Sequence, residues 1–385
     1  MTFIVLALVV AVGLAGPLLA WSDKLRLPVV IGELAAGIIV GQSGLRWIDP
    51  GEPTLTFLAD IGFAMVMFVA GSHVPVRDHS LMGGARGAVG RLAVIVVVAI
   101  GLAWLVAQGF STGHVGLYAV LFASSSAAVI MPMAASLGLT GPRWTRLIPQ
   151  IALADAAGIV ALPLVLDPAQ ATTAALGAAE VIACSAGVFG LLWLVNRRGL
   201  LARVHHKSSQ RDFALELRVS LLILLALAAL AIATHVSIML AGFCFGLALA
   251  GIGEPHRLAR QLFGLTEGVF APIFFVWLGA SLDLTGLVRH PIMIGLGLAL
   301  GAGAVLTHAV AALFKLPLSG AVLASAQLGL PVAAVTIGGQ TGVLRPGEGA
   351  ALLLGALLTI ATAGLAGRVL ARRPSRPEPS EPSPA

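Results

Sequence analysis

The chain has 385 residues, of which 58% are hydrophobic and only 10% are charged. A soluble domain carries roughly 25% charged residues, so this composition excludes a soluble globular protein. A net charge of +6 suits a nucleic-acid-binding protein in water, but in a membrane protein basic residues first mark the cytoplasmic loops.

Apolar stretches long enough to cross a bilayer, about 17–25 residues each, recur from one end of the chain to the other. The first stretch lacks the basic flank and cleavage site of a signal peptide, and we expect it to be retained. The predicted spans, thirteen in all, lie at about 2–20, 28–46, 53–72, 89–108, 115–137, 147–166, 173–195, 213–234, 236–252, 266–284, 291–313, 318–341 and 347–370.

The basic residues fall almost entirely on one side of this predicted bundle. If the thirteen spans alternate in direction, nineteen of the 23 Lys and Arg residues lie in the odd-numbered connections and the C-terminal tail. Only three lie in the even-numbered connections. Because cytoplasmic loops are the ones enriched in Lys and Arg, the N-terminus is predicted outside and the C-terminus in the cytoplasm, and nucleic acid is not needed to explain the charge.

The chain is predicted to contain one folded unit, an all-α transmembrane domain over residues 1–370. Within it, repeat one covers about 1–166, a linking helix covers 173–195 and repeat two covers about 213–370. Residues 371–385 are rich in Pro, Ser and Glu, and such a segment is predicted to be a disordered cytoplasmic tail.

The division into repeats depends on small residues that recur at a nearly constant separation. The pairs are Gly37 and Gly246 (209 apart), Gly71 and Gly279 (208 apart), Gly138 and Gly342 (204 apart), and Pro142 and Pro346 (204 apart). The offset corresponds to seven helices, an odd number, so the second half is predicted to lie upside down relative to the first. Inverted repeats are typical of secondary transporters that work by alternating access, although small residues are common wherever membrane helices pack.

Asp155 is the strongest candidate for chemistry. It lies near the middle of the sixth predicted span, and that span contains no basic residue. An ionisable group at such a depth costs about 2.5–3.5 kcal/mol on insertion, so it is a functional hypothesis by default. We expect a proton and a hard monovalent cation to compete for its oxygens; the alternative is a neutral carboxylic acid that only bonds to a neighbour.

The fifth and twelfth spans carry polar and helix-breaking residues at matching positions. They are Ser124, Ser125, Ser126 and Pro132 in the fifth span, and Gln327, Gly329 and Pro331 in the twelfth. Broken helices in corresponding positions of two repeats indicate a binding site at the membrane midplane, where freed carbonyls and hydroxyls can bind a cation. The alternative is that these residues merely pack and kink the helices.

The remaining polar residues of the spans have several possible roles. His308 lies deep in the eleventh span, where it either packs or responds to pH beside a carboxylate. Four acidic residues lie near span ends, where they can reach headgroups, pair with Arg218 or line an aqueous funnel. They are Glu33, Asp60, Glu216 and Glu267.

No nucleotide-binding loop, metal-ligand spacing or nucleophile triad occurs in the sequence, so neither an enzyme nor a cofactor is predicted. Cys184 and Cys244 lie in apolar runs and are predicted to pack in the helix bundle.

Several segments resemble the monovalent cation:proton antiporters, the sodium/hydrogen exchanger-like transporters of bacteria. In chain order they are LPVVIGELAAGIIVGQSGL, FLADIGFAMVMFVAG, SSSAAVIMP, ALADAAGIV, ELRVSLLILLALAALAIATHVSIMLAGFCFGLAL and FAPIFFVWLGASLDL. The resemblance implies a homodimer in the bacterial inner membrane that serves pH homeostasis, with a dimerisation domain and a core domain. It also implies that the fifth and twelfth spans cross as broken helices and that Asp155 binds Na⁺ or K⁺.

The chain departs from the family pattern at two positions near the predicted site. Members usually have Asn, Asp or Gln immediately before the aspartate, whereas this chain has Ala154, and His308 stands where members often have Lys or Arg. Because members with two adjacent acids tend to be electrogenic, the resemblance predicts electroneutral exchange of one cation for one proton here. The alternative function is a channel, or an ion-coupled organic-anion symporter on a related scaffold. A non-transporting sensor or scaffold protein is a further alternative.

Overall fold

The computed structural model describes residues 2–21, 29–72, 79–166, 171–198, 215–234, 236–253, 256–282 and 284–372. All regular structure in these ranges is helical, as expected where the bilayer offers no hydrogen-bond partner to an open backbone. Most of the predicted disordered tail, at 373–385, lies outside the described residues.

The helices follow one another with short connections. In chain order they are α1 (Phe3–Gly13), α2 (Ala15–Ala20), α3 (Val29–Val40), α4 (Pro53–Ser72), α5 (His79–Gly109), α6 (Val115–Ala123), α7 (Ala127–Ser136), α8 (Pro142–Thr145), α9 (Ile148–Leu166), α10 (Ala171–Arg197), α11 (Leu215–Ala233), α12 (Ile238–Ile252), α13 (His256–Leu265), α14 (Ala271–Ser281), α15 (Leu284–Arg289), α16 (Pro291–Ala309), α17 (Leu318–Leu323), α18 (Gly329–Thr341) and α19 (Glu348–Ala371). A π-helical turn, Thr266–Phe270, joins α13 to α14, and a 3₁₀ turn, Val310–Phe314, follows α16.

In the described part of the chain, nine helices are long and apolar enough to cross a membrane, and four shorter apolar helices accompany them. The prediction of an all-α, multi-pass membrane protein is confirmed. The count of thirteen spans stays a prediction, because helices as short as the 12-residue α3 reach only about 18 Å at 1.5 Å per residue.

Two helix pairs cross with their backbones almost in contact. In the crossing of α3 with α14, a Cβ added to Gly37 would lie 3.0 Å from the Cα of Gly279. In the crossing of α4 with α12, a Cβ on Gly246 would lie 3.0 Å from the carbonyl carbon of Gly71. Each crossing therefore joins a helix of the first half of the chain to one of the second half, through the close glycine contact that membrane helices commonly use.

Two helical segments are interrupted where the sequence predicts. Between α6 and α7 the backbone is extended at Ser124 (φ −81°, ψ 156°) and at Ser126 (φ −114°, ψ 103°). The interruption between α17 and α18 lies beside it, because the N–H of Ser126 donates to the carbonyl of Ala326 at 2.8 Å. This bond satisfies backbone groups that the bilayer cannot.

Both interruptions lie further toward the N-terminus than the prolines that signalled them. Pro132 lies within α7, and Pro331 lies in the first turn of α18. The missing N–H of a proline costs no hydrogen bond in a first turn, so α18 continues through Pro331. Polar residues, rather than proline, occupy the first break at residues 124–126.

α9 carries Asp155 to these interruptions. The helix packs against α5, α6, α10 and α18. The approach is close at Gly158, where an added Cβ would lie 3.2 Å from the Cβ of Ser124. Since Asp155 precedes Gly158 by one turn, its side chain lies on the face of α9 that meets the break.

Candidate functional site

The centre of the site is the carboxylate of Asp155. The residue is 2% exposed, and its Oδ2 accepts a hydrogen bond from the backbone N–H of Ala127 at 2.8 Å. Ala127 is the first residue of α7, and the N-terminus of a helix carries unpaired N–H groups and a partial positive charge. A buried carboxylate is therefore held where the backbone favours its charged form.

The three serines of the break have different partners. Ser124 donates from Oγ to the carbonyl of Leu121 at 2.8 Å, within its own turn. Ser125 donates to the carbonyl of Ala324 at 2.7 Å, which ties the two interruptions together. Ser126 is 3% exposed, and its Oγ has no hydrogen-bond partner among the described residues. Of the three predicted cation ligands, Ser126 has the hydroxyl least engaged by the protein itself.

The carbonyl end of α6 is covered by neutral donors. The carbonyl of Leu121 accepts from Ser124 N at 3.1 Å, from Ser124 Oγ and, in a short bond, from Nε2 of Gln327. Nε2 of His308, a residue with no exposed surface, lies 2.9 Å from the carbonyl of Ser124. Because a carbonyl only accepts, this ring nitrogen carries the proton.

The second interruption is held by a hydroxyl. The backbone N–H of Gln327 donates to Oγ1 of Thr359 at 3.1 Å. Gly329 opens α18 against the sulfur atoms of two methionines: a Cβ there would lie 3.2 Å from Sδ of Met239 and 3.8 Å from Sδ of Met67. Gln327 and Gly329, both predicted as support for a broken helix, therefore lie at the second interruption, between α17 and the first turn of α18.

The place where the two helix interruptions meet has one carboxylate among the described residues. Asp155 is the acid among the described side chains whose contacts reach the break, and its neighbour Ala154 is buried at 2% exposure. His308 and Gln327 direct an imidazole N–H and an amide N–H to the C-terminal end of α6. Neither group carries the permanent positive charge that a lysine or an arginine would. A bound proton or a bound monovalent cation would leave this site with the same net charge.

Glu216 and Arg218 lie elsewhere. They occupy the first turn of α11, where Glu216 is half-buried and Arg218 is exposed, and α11 packs against α10, α12 and α13. No contact of either residue with Asp155 or with the serine break is seen in the described part of the chain. Their role as a charge partner of the site stays a prediction.

A cavity of about 1000 Å³ leads to the break. Its walls come from α1 to α4, α7, the π turn and α14, and Ala127 lies on its surface. The polar residues of the wall include Glu33, Ser136, Thr266 and Glu267. Ala127, whose N–H donates to Asp155, therefore also lines the cavity.

Sequence reasoning missed two features. Thr359 gave no signal as a polar residue in the last span, although it stands 204 residues after Asp155, the separation already seen between Gly138 and Gly342. Glu348 is fully buried and accepts from Nδ1 of His114 at 2.7 Å and from the Tyr118 hydroxyl at 2.6 Å. Glu348 stands at the start of the last predicted span, and no pattern in the sequence singled it out.

Comparison with known proteins identifies the family and the fold. A family model described as "Sodium/hydrogen exchanger, transmembrane" matches residues 8–373. Among solved structures, the sodium proton antiporter MjNhaP1 from Methanocaldococcus jannaschii has the same fold, with a TM-score of 0.66. That likeness covers 96% of this chain and 98% of that chain at 16% sequence identity.

Curated relatives cover most of this chain. The putative Na⁺/H⁺ antiporter YjbQ of Bacillus subtilis is 24% identical over 97% of this chain and 64% of its own length. The glutathione-regulated potassium-efflux system protein KefC of Cronobacter sakazakii is 29% identical over 73% of this chain and 46% of its own length. The Na⁺/H⁺-K⁺ antiporter GerN of Bacillus cereus is 23% identical over 71% of this chain and 70% of its own length. The chain thus spans about half to two thirds of the first two relatives.

Proposed function

Because the chain belongs to the transmembrane sodium/hydrogen exchanger family, we propose that it exchanges a monovalent cation, Na⁺ or K⁺, for protons across a bacterial cell membrane. The observation that carries this proposal is the buried carboxylate of Asp155, which accepts a hydrogen bond from the N–H of Ala127 at the start of α7. The preceding residue, Ser126, has a buried hydroxyl without a hydrogen-bond partner among the described residues. Relatives named as Na⁺/H⁺, Na⁺/H⁺-K⁺ and potassium-efflux proteins support the choice of ions.

In the proposed cycle, the deprotonated Asp155 carboxylate binds the cation together with Ser126 Oγ. A proton that binds the same carboxylate removes its charge and displaces the cation. Because only one of the two ions occupies the carboxylate at a time, each change of access moves either one monovalent cation or one proton across the membrane. Exchange of one cation for one proton is then electroneutral.

Alternating access is the second part of the proposal. The cavity that reaches Ala127 is lined in part by residues at helix ends predicted to face the cytoplasm, such as Ala20 and Gly138. The described conformation is then open to the cytoplasm, and movement of the crossed helices exposes Asp155 to the other side. The glycine crossings that join the two halves support an inverted repeat, which is the architecture for such a movement.

We also propose a homodimer with an outside N-terminus and a cytoplasmic C-terminus. The family resemblance supports the dimer, and the distribution of Lys and Arg supports the orientation. Native mass spectrometry of the purified protein tests the dimer, because two copies are expected in the principal species and one copy would contradict it.

The position of Asp155 at the N-terminus of α7 disfavours the alternative that the protein transports an organic anion. A carboxylate substrate would need the positive N-terminus of a broken helix, yet the N–H of Ala127 at the start of α7 already binds Asp155. Flux of an organic anion without any cation-driven proton movement would reverse this preference.

The test is proton flux in liposomes that contain a fluorescent pH indicator. The wild type is expected to move protons when Na⁺, K⁺ or Li⁺ gradients are imposed, and the most effective cation identifies the substrate. Asp155→Asn is expected to abolish the cation-driven proton flux, because an amide does not take up a proton and has no negative charge to bind a cation. Asp60→Asn, a matched change of a half-buried aspartate on α4, is the control. Equal flux from wild type and Asp155→Asn would remove the proposal.

A further inference from the structure

At each of the two helix interruptions a side-chain oxygen accepts a hydrogen bond from a backbone N–H, but the two oxygens belong to different chemical groups. Asp155 of α9 accepts from the N–H of Ala127 at 2.8 Å, and Thr359 of α19 accepts from the N–H of Gln327 at 3.1 Å. Thr359 is 1% exposed, and its own hydroxyl hydrogen goes to the carbonyl of Ala356 at 2.7 Å. In both cases the next long helix along the chain supplies a side-chain oxygen that accepts from a backbone N–H of the interrupted segment.

The separation along the chain supports this equivalence. Thr359 stands 204 residues after Asp155, and Gly342 stands 204 residues after Gly138. α9 follows the first broken helix as α19 follows the second. The hydroxyl of Thr359 therefore takes, in the second half, the place that the carboxylate takes in the first.

A chain of hydrogen bonds connects Thr359 to the serine break. Thr359 fixes the backbone of Gln327, and the side chain of Gln327 donates to the carbonyl of Leu121 at the end of α6. That carbonyl also accepts both the backbone and the hydroxyl of Ser124. Ser124 begins the extended stretch that ends at Ser126, so the side chain of Gln327 and the backbone of Ser126 are connected through the carbonyl of Leu121 and the break itself.

We propose that Thr359 is a positioning residue for the cation site, acting through Gln327 on the serine break. The inference rests on the proposed function, since it concerns the same site. Thr359 does not touch the ion; its hydroxyl sets where Ser126 stands relative to Asp155. Because a hydroxyl does not ionise in this pH range, the second cap holds the backbone without adding a second exchangeable charge.

The experiment compares three variants in the liposome assay. Thr359→Val keeps the shape of the side chain and removes the acceptor, and Thr359→Ser keeps the hydroxyl. Thr362→Val is the control, because among the described residues the hydroxyl of Thr362 bonds to the carbonyls of Leu358 and Thr359 in its own helix. The half-saturating cation concentration is expected to rise about tenfold in Thr359→Val, because the backbone of Gln327, and through it Ser126, is no longer held in the cation-binding position; tenfold corresponds to about 1.4 kcal/mol. Thr359→Ser and Thr362→Val are expected to stay within about twofold of wild type.

A purely structural role would not give this pattern. It would lower the maximal rate, or the amount of folded protein, at an unchanged half-saturating concentration, and that result would overturn the proposal. So would a Thr359→Ser variant as weak as Thr359→Val. If Thr359→Val does not fold, Thr359→Ala is compared with Thr359→Ser in the same way.

A second measurement separates this inference from the proposed function. The melting temperature of the detergent-solubilised protein is followed as Na⁺ or K⁺ is added, because a bound ligand stabilises the folded state. A wild type with neither cation-driven flux nor a cation-dependent melting temperature removes the proposed function and this inference together. A wild type that responds, with a Thr359→Val variant that responds at the same concentrations, removes only the role of Thr359.

Discussion

The protein holds the polar groups of Asp155 and Ser126 in different ways. Asp155 is anchored by the N–H of Ala127, whereas the hydroxyl of Ser126 has no partner in the described part of the structure. A buried polar group without a partner costs free energy, and such a cost is expected where a ligand supplies the missing contact. Ser124 and Ser125, in contrast, already donate to carbonyls.

This difference predicts opposite effects for two serine-to-alanine changes. Ser126→Ala is expected to raise the half-saturating cation concentration and to leave the melting temperature nearly unchanged, because it removes a ligand and no internal bond. Ser125→Ala is expected to lose about 0.5–1.5 kcal/mol of stability, since it removes the bond to Ala324 across the crossing. Flux assays and thermal melts of both variants check the prediction, and the reverse ordering would contradict it.

At the scale of elements, α6 and α19 are joined at their N-terminal ends by a buried acid. Glu348 opens α19 and has no exposed surface. One oxygen accepts from His114 and Tyr118, and the other accepts from the N–H of Arg345 at 2.8 Å. The cluster fixes α6, the first part of the first broken helix, to the helix that carries Thr359.

We expect the variants of this cluster to be ranked by the number of hydrogen bonds they remove and by whether water can replace those bonds. Glu348→Ala strands three donors and is expected to lower the melting temperature most. Tyr118→Phe removes one bond to the carboxylate, worth about 1.5–3 kcal/mol for a charged acceptor. His114→Ala is expected to cost least, because the histidine is 20% exposed and water can replace it. A melting temperature for Glu348→Ala equal to wild type would show that the cluster does not hold these helices.

The elements also show what sequence can and cannot establish. Asp155 and the serine break were predictable because an isolated acid and three consecutive hydroxyls are costly in hydrocarbon. The interruptions lie at the predicted polar residues and not at the prolines: Pro331 lies in the first turn of α18, where a proline costs no hydrogen bond, and Pro132 lies in the interior of α7. Thr359 and Glu348 were not predictable as partners, because their bonds join segments 32 and 234 residues apart. Such pairings depend on how helices cross, which hydropathy does not encode.

At the scale of the whole molecule, the cavity and the charge distribution bear on the same question of sidedness. The cavity wall includes the buried Glu33 and the exposed Glu267, and an exposed acid on a cavity wall attracts cations. Residues 136–138 at its edge precede a connection predicted to be cytoplasmic. The loop that contains Leu45, half exposed at 51%, is predicted to face outside.

Cysteine labelling tests this orientation. In a background with Cys184 and Cys244 replaced by serine, Ser136→Cys is expected to react with a membrane-impermeant thiol reagent applied from the cytoplasmic side. Leu45→Cys is expected to react only from the opposite side. Labelling of Ser136→Cys from outside alone would invert the proposed topology.

Electroneutrality is a property of the complete cycle. One carboxylate at the crossing predicts that the exchange rate does not change when a membrane potential is imposed with a second ion and an ionophore. The control is the same potential applied to liposomes without protein. Exchange that accelerates or reverses with the potential would require a second charge to move with each cycle.

The central claim is that a cation and a proton compete for Asp155. Its most direct measurement is the apparent Kd of Na⁺ or K⁺ for the purified protein, by calorimetry or melting temperature, over a series of pH values. The proposal predicts that the apparent Kd rises as pH falls, approaching tenfold per pH unit once the carboxylate is mostly protonated, and that Asp155→Asn does not bind. Cation binding that is independent of pH, or that survives in Asp155→Asn, would contradict it.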